Sequence, residues 1–221
     1  MEEDSVADDG ELPGVIPIFP LPGALLLPGG ELPLNIFEPR YLFMVRDAMA
    51  RDRTIGMVQP RPGTGEGGGL YGVGCAGRIG SFGETVDGRI LISLRGISRF
   101  VVAEELARTT PYRQVKADYT PYAADRREEE HLPPARRAAL LEKVRSYIER
   151  RGLVIDWPAL LSVPDRVLVN SLAMIAPFPP ADKQALLEAK TLDDRAAAMI
   201  LLISFALAAD GGETGPSGRP N

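Results

Sequence analysis

Cysteine occurs once in this chain of 221 residues, as Cys75, and histidine once, as His131. One thiol permits no internal disulfide, and one thiol with one imidazole falls short of the ligand set of a structural zinc site. Lysine is scarce too. Lys116, Lys143, Lys183 and Lys190 are the whole complement, preceded by Val, Glu, Asp and Ala. A Walker-type phosphate loop needs glycine immediately before its lysine, so ATP hydrolysis by that route is excluded. Acyl transfer from serine needs a base held in place. His131 stands in ADRREEEHLPP (124–134), a charged, proline-ended stretch with no scaffold around it, and reads as a solvated linker histidine. Cys75, set among glycines, reads as a small buried hydrophobe. No metal and no cofactor is expected.

Long hydrophobic runs are missing as well. The longest, AAAMILLISFALAA (196–209), is shorter than the ~20 residues a membrane span requires. It is bracketed by TLDD (191–194) and Asp210-Gly211, the start and stop signals of a soluble helix, and is expected to be a core helix. The N-terminus is acidic where an export signal would be basic and then apolar. With the lone thiol, this fits a reducing, cytoplasmic setting and no membrane partner.

Nor does charge of one sign dominate the body of the chain. The net charge of -5 comes from residues 2–11 (EEDSVADDGE), which hold six acids and no base. The remainder carries 24 acids against 25 lysines and arginines, without the clustered positive surface that releases phosphate counterions. Nucleic acid is not the expected partner.

What the chain does have is glycine and proline between short apolar alternations, the writing of small antiparallel strands and tight turns. VIPIFPL (15–21) and ALLLPGGELPLNIF (24–37) read as edge or rim strands because proline lacks an N–H for an interior ladder. TIGMVQP (54–60), GVGCAGRIGSFGETV (72–86), RILISL (89–94) continuing into SRFVVAEEL (98–106), and YRQVKADY (112–119) follow. Asp87-Gly88 is read as a tight hairpin with positive φ at both residues. PRYLFMVRDAMARD (39–52) changes to helical period, with Leu42, Val45 and Met49 on one stripe beside Tyr41 and Ala48, and Pro39 in the first turn. Beyond residue 122 strand signals stop. ARRAALLEKVRSYIERRG (135–152, ended by Gly152), DRVLVNSLAMIAP (165–177), ADKQALLEAK (181–190) and the apolar helix (192–209) make a helical bundle. The expected architecture is α+β: an acidic disordered tail (1–12), a small antiparallel β-barrel (13–122), a connector (123–134), a helical bundle (135–210) and a disordered tail (211–221).

Several motifs fail on context. Gly63, Gly65 and Gly68, and again Gly72, Gly74 and Gly77, match G-x-G-x-x-G, but neither set opens a helix as dinucleotide binding demands. The first reads as a loop (61–69), the second as strand. In FEPRY, residues Phe37, Glu38, Pro39, Arg40 and Tyr41, the charges are either an acid and anion clamp or a helix start with a locally paired base. Local rules favour the helix start, with Glu38 meeting the free N–H groups of the first turn.

IPIFPLPGALLLPGGELPLNIFEPRY (16–41) resembles the opening of the N-terminal, substrate-binding domain of Lon proteases. IGMVQPRPG (55–63), LYGVGCAGRI (70–79), DGRILISLRGISRF (87–100) and PYRQVKADY (111–119) follow in the family's order. The resemblance implies a PUA-like barrel followed by helices, and a role in recognising unfolded or tagged polypeptides. No ATPase module and no Ser-Lys protease module follows here, so the chain resembles a stand-alone Lon N-domain, a non-enzymatic adaptor working beside a protease or chaperone in protein quality control. A neutral body would bind through apolar surface or backbone pairing at a sheet edge. The candidate contacts are Leu26 and Leu27 on the rim of the ALLLP strand, and Leu70 and Tyr71 flanking the glycine loop. The alternative is an RNA-binding PUA-like protein using Arg78, Arg89, Arg95 and Arg99 on one face.

Overall fold

The computed structural model describes residues 11–63, 68–126 and 131–211. Most of the acidic and C-terminal tails, part of the 61–69 loop and the middle of the connector lie outside the described residues. Two compact units divide the chain, Met1–Glu128 and Glu129–Asn221.

In the first unit, strands β1 (Val15–Pro20), β2 (Glu31–Ile36), β3 (Thr54–Pro60), β4 (Leu70–Glu84), β5 (Ile90–Glu105) and β6 (Arg113–Asp118) form one sheet in the order β2-β5-β4-β3-β1-β6. Strand β6 hydrogen-bonds β1 on one side and the far half of β5 on the other. The sheet is mixed rather than antiparallel throughout, because β1 runs parallel to β3, Ile18 opposite Gly56. A parallel pair requires a crossover, and helix α1 (Pro39–Met49) lies within the chain that makes it. Nor is β1 an edge. It pairs with β6 through Val15–Ile18 and with β3 through Ile18–Pro20, so Pro17 falls outside the β3 ladder and Pro20 outside the β6 ladder. ALLLP forms no strand at all.

The core of this unit gathers Ile16, Ile18, Val58, Ala76, Phe100 and Val115, with Leu70, Val102, Ala117 and Tyr119 packed against it. Glycine makes the tight spots possible. A Cβ on Gly74 would sit 2.7 Å from Phe100 Cζ, one on Gly77 would sit 2.7 Å from Leu26 Cδ2, and one on Gly96 would strike the carbonyl of Leu27. Helix α1 buries Tyr41, Met44, Val45 and Ala48, a stripe rotated from the expected one, with the Tyr41 ring 4.3 Å from that of Phe19. A short 3-10 segment (Thr120–Arg126) follows β6.

The second unit is helical: α2 (Pro134–Arg150), α3 (Trp157–Ser162), α4 (Asp165–Ile175), α5 (Pro180–Glu188) and α6 (Leu192–Gly211). The α3 turn was not read from the sequence; Asp156 caps it by accepting from Ala159 N at 3.0 Å. Gly152 ends α2 with φ +64. At the start of α6, Thr191 Oγ1 accepts from Asp194 N at 3.1 Å while Asp194 Oδ2 accepts from Thr191 N at 3.2 Å, the reciprocal cap that TLDD promised. Helix α6 packs against α2, α4 and α5 through Leu192, Ala196, Met199 and Ile203. It is not buried all round, since Leu201 and Phe205 are exposed.

Candidate functional site

The end of the β4–β5 hairpin carries exposed apolar side chains beside a concavity. Its turn is longer than Asp87-Gly88 alone. Gly88 N donates to Thr85 O at 3.0 Å, Thr85 N donates to Arg89 O at 2.9 Å, and only Gly88 has positive φ, +83. This is a type I turn closed by one left-handed glycine, a geometry in which Asp87 needs no unusual backbone. Asp87 instead accepts from Arg89 Nε at 2.7 Å, and the hydrogen bonds from Arg89 and Thr85 hold its carboxyl well below the usual range.

Around this hairpin end lie Phe37, 65% exposed, Phe43, 55% exposed, and the exposed Phe82, Val86 and Leu91. Phe37 follows Ile36, which pairs with Ile90 at the base of the hairpin. Phe43 stands one turn before Arg46, whose Nη2 lies 3.2 Å from Glu84 Oε1 at the end of β4. A shallow depression of ≈ 520 Å³ crosses β2, β5 and β4 here. Its lining is three cross-strand rows: Pro33–Ser93–Ser81, Leu34–Ile92–Phe82 and Asn35–Leu91–Gly83. Side chains alternate faces along a strand, so the outer rows share one face while the middle row turns to the other, where Ile92 is buried. The small residues Gly83, Ser81 and Ser93 make the hollow. The period-2 alternation of RILISL is the local signal for Leu91 and Ser93 on the face away from Ile90, Ile92 and Leu94, but the hollow exists only once β2 and β4 lie beside it.

FEPRY lies at the edge of this region. Arg40 donates from Nε and Nη2 to Glu38 Oε2 at 3.0 and 2.7 Å, and its guanidinium lies 4.7 Å from the Tyr41 ring centroid. The Glu38 side chain makes no cap hydrogen bond; its carbonyl does the capping, accepting from Tyr41 N and Leu42 N at 2.9 and 3.0 Å. The charges form a half-exposed local pair, not a buried clamp.

Other sequence candidates scatter. Leu26 and Leu27 are buried in the core beside Gly77 and Gly96 rather than exposed on a rim, a correction that follows from ALLLP crossing the sheet as a packed loop. Leu70 and Tyr71 begin β4, both half-buried, with Leu70 against the core cluster. The four arginines do not share a face: Arg99 is buried with Asp125, Arg89 is paired in the turn, and only Arg78 and Arg95 are cross-strand partners. Cys75 is buried. His131 is exposed, its Nδ1 3.9 Å from Asp165 Oδ2. In the sheet unit Tyr112 donates to Asp47 Oδ2 at 2.6 Å, and burial, then that carboxylate, pushes its hydroxyl up to about 12. Among the described residues no three His, Cys, Asp or Glu side chains are grouped to hold a metal, and no helix is long and apolar enough to cross a membrane.

The six-stranded mixed sheet followed by helices is the α+β architecture of Lon N-terminal domains. A Lon N-terminal domain protein from Xanthomonas campestris superposes with TM-score 0.64 at 23% identity, covering 85% of this chain and 97% of that one. The N-terminal domain of a Mycobacterium avium complex Lon protease gives TM-score 0.63 at 15% identity, covering 86% and 98%. In sequence, Lon protease 2 of Myxococcus xanthus is 31% identical over 114 residues, 49% of this chain and 13% of its own. The Lon protease of Parabacteroides distasonis is 28% identical over 218 residues, 92% of this chain and 25% of its own. The chain thus spans a quarter or less of these two relatives. The family of the ATP-dependent protease La (Lon) substrate-binding domain matches residues 15–204, and the chain belongs to that family.

Proposed function

We propose that this chain is a non-catalytic polypeptide-binding module that takes exposed apolar segments of unfolded or tagged proteins. The observation that carries the reading is the gathering of exposed Phe37, Phe43, Phe82, Val86 and Leu91 at one end of the β4–β5 hairpin, in a chain that belongs to the Lon substrate-binding domain family. A folded surface seldom leaves such a group in water without a partner for it. Half-buried Leu70 and Tyr71, at the other end of β4, are a secondary contact. The pairings that return from β6 to β5 support a small PUA-like barrel as the rigid frame, with α2–α6 as an attached helical bundle. Such a module serves as an adaptor for a protease or chaperone in a reducing, cytoplasmic setting.

The test is binding of labelled lactalbumin, reduced and carboxamidomethylated so that it stays unfolded without added charge, compared with native lactalbumin. Capture of the unfolded form alone, in 50 mM and 500 mM salt alike, supports the reading. Equal capture of both forms, no capture, or a steep salt dependence with preference for RNA overturns it.

A further inference from the structure

Glycines within β4 divide into two kinds. Gly74 and Gly77 are required by the core, since a Cβ at either would meet Phe100 or Leu26 at 2.7 Å. Gly83 is not: an added Cβ there would have nothing within 4 Å, and its φ is an ordinary one. Glycine inside a strand weakens it and is otherwise found where a ligand or another backbone approaches closely. Among the described residues nothing fills the space over Gly83, which floors the depression on β2, β5 and β4.

The surroundings say what approaches. Flanking Gly83 on the same face are apolar Leu91 and Pro33 and polar Asn35, Ser81 and Ser93, whose side chains make no hydrogen bond among the described residues. Around Gly83 itself the charges are matched within the chain, Glu38 with Arg40, Arg46 with Glu84 and Asp87 with Arg89, while exposed Glu31 and Arg95 face each other, with opposite signs, beyond the Pro33–Ser93 row. A charged group centred over Gly83 would find no unmatched partner beside it and would lose its own hydration. The outer edge of β2 is a poor template for strand addition as well. Pro33, opposite Ser93, is tolerated in a strand only where its missing N–H faces away from the neighbour, so that edge lacks a donor at its centre.

We propose that the Gly83 depression is the binding site for a short, extended, uncharged polypeptide segment. The segment lies over Gly83 with its amide groups on Asn35, Ser81 and Ser93 and its apolar side chains on Leu91 and Pro33; it does not extend the sheet at β2. The inference rests on the polypeptide-binding reading above and names the segment that reading would select.

The probes are a fluorescein-labelled decapeptide of Leu, Ala, Thr, Ser and Gln, and two versions in which two leucines become Asp or Lys, titrated against the full chain by anisotropy. The neutral peptide binds, and both charged versions bind at least tenfold more weakly. Gly83→Val, which fills the hollow where there is open space, lowers neutral-peptide affinity at least tenfold with an unchanged melting temperature; Leu91→Ser does so through lost apolar contact. Unchanged affinity in Gly83→Val, or equal affinity for a charged peptide, overturns the assignment. If unfolded lactalbumin still binds the Gly83→Val protein as tightly as the parent, polypeptide binding stands and this site falls; if neither peptide nor lactalbumin binds the parent chain, both fall. A concentration-dependent dimer abolished by Leu91→Ser would make the occupant a second copy and overturn it equally.

Discussion

Arg99 and Asp125 form a buried two-point ion pair: Nε reaches Oδ2 at 2.8 Å and Nη2 reaches Oδ1 at 2.7 Å, with side-chain exposures of 3% and 7%. The Arg99 backbone N–H also donates to Oδ2 at 2.9 Å, and the Tyr122 ring lies 4.2 Å from the guanidinium carbon. One carboxylate thus fastens the 3-10 segment after β6 to the middle of β5. Removing it strands a desolvated guanidinium, so Asp125→Ala should cost about 3–5 kcal/mol in urea unfolding followed by circular dichroism. The pair replaced together, Arg99→Met with Asp125→Leu, should cost clearly less than the two single changes added, because neither charge is then left alone.

The two kinds of glycine predict opposite outcomes for the same substitution. Gly77→Ala places a methyl 2.7 Å from Leu26 Cδ2, and Gly96→Ala places one against the Leu27 carbonyl, which is backbone and cannot swing aside. Overpacking of this sort costs about 1–3 kcal/mol and more where backbone must move. Gly83→Ala should change stability by less than about 0.5 kcal/mol, as an exposed substitution does. Thermal melts of the three variants side by side decide the matter: a Gly96→Ala protein as stable as the parent would mean that the 24–30 loop does not cross β5 as described.

FEPRY shows where local sequence rules stop. They placed Pro39 in the first turn and made Glu38 the residue before the helix, and both positions hold. They assigned the Glu38 carboxylate to the helix N–H groups, whereas it turns to Arg40, two residues on, because two N–H groups of a charged guanidinium on one carboxylate oxygen outcompete a single amide. Glu38→Ala should therefore cost only about 0.5 kcal/mol, the scale of an exposed pair, rather than the ~1 kcal/mol of a lost cap. Unfolding of Glu38→Ala beside Arg40→Ala measures it; equal small losses indicate the pair.

The same limit explains the rest. Strand β3 was legible to the residue, and the α6 start from TLDD, because period and caps are local. The parallel β1–β3 pair, the burial of Leu26 and Leu27, and the hollow over Gly83 depend on which strands become neighbours. That is settled by long-range packing, to which a window of ten residues is blind. ALLLP reads as strand by composition, yet its leucines are spent filling the space that Gly77 and Gly96 leave open.

Asp165, at the start of α4, supplies a pH signature for the second unit. Its carboxylate accepts from Leu132 N at 2.9 Å and pairs with Arg137, whose Nη2 also donates to Leu161 O and Val163 O. Burial alone would raise its pKa, but the Leu132 N–H and the Arg137 guanidinium outweigh this and hold it below the usual value. A depressed folded-state pKa means that the carboxylate's contribution is fully present above the unfolded value, about 3.9, and is lost as pH falls through the folded value. Asp165→Asn should be less stable than the parent by about 1–3 kcal/mol at pH 7, and the gap should narrow below pH 4 as the parent's carboxylate takes up its proton. Trp157, the single tryptophan and part of this unit, reports the transition by fluorescence. A gap that stayed constant from pH 7 to pH 3 would show that the ionised carboxylate is not what joins residue 132, α2 and the α3–α4 turn.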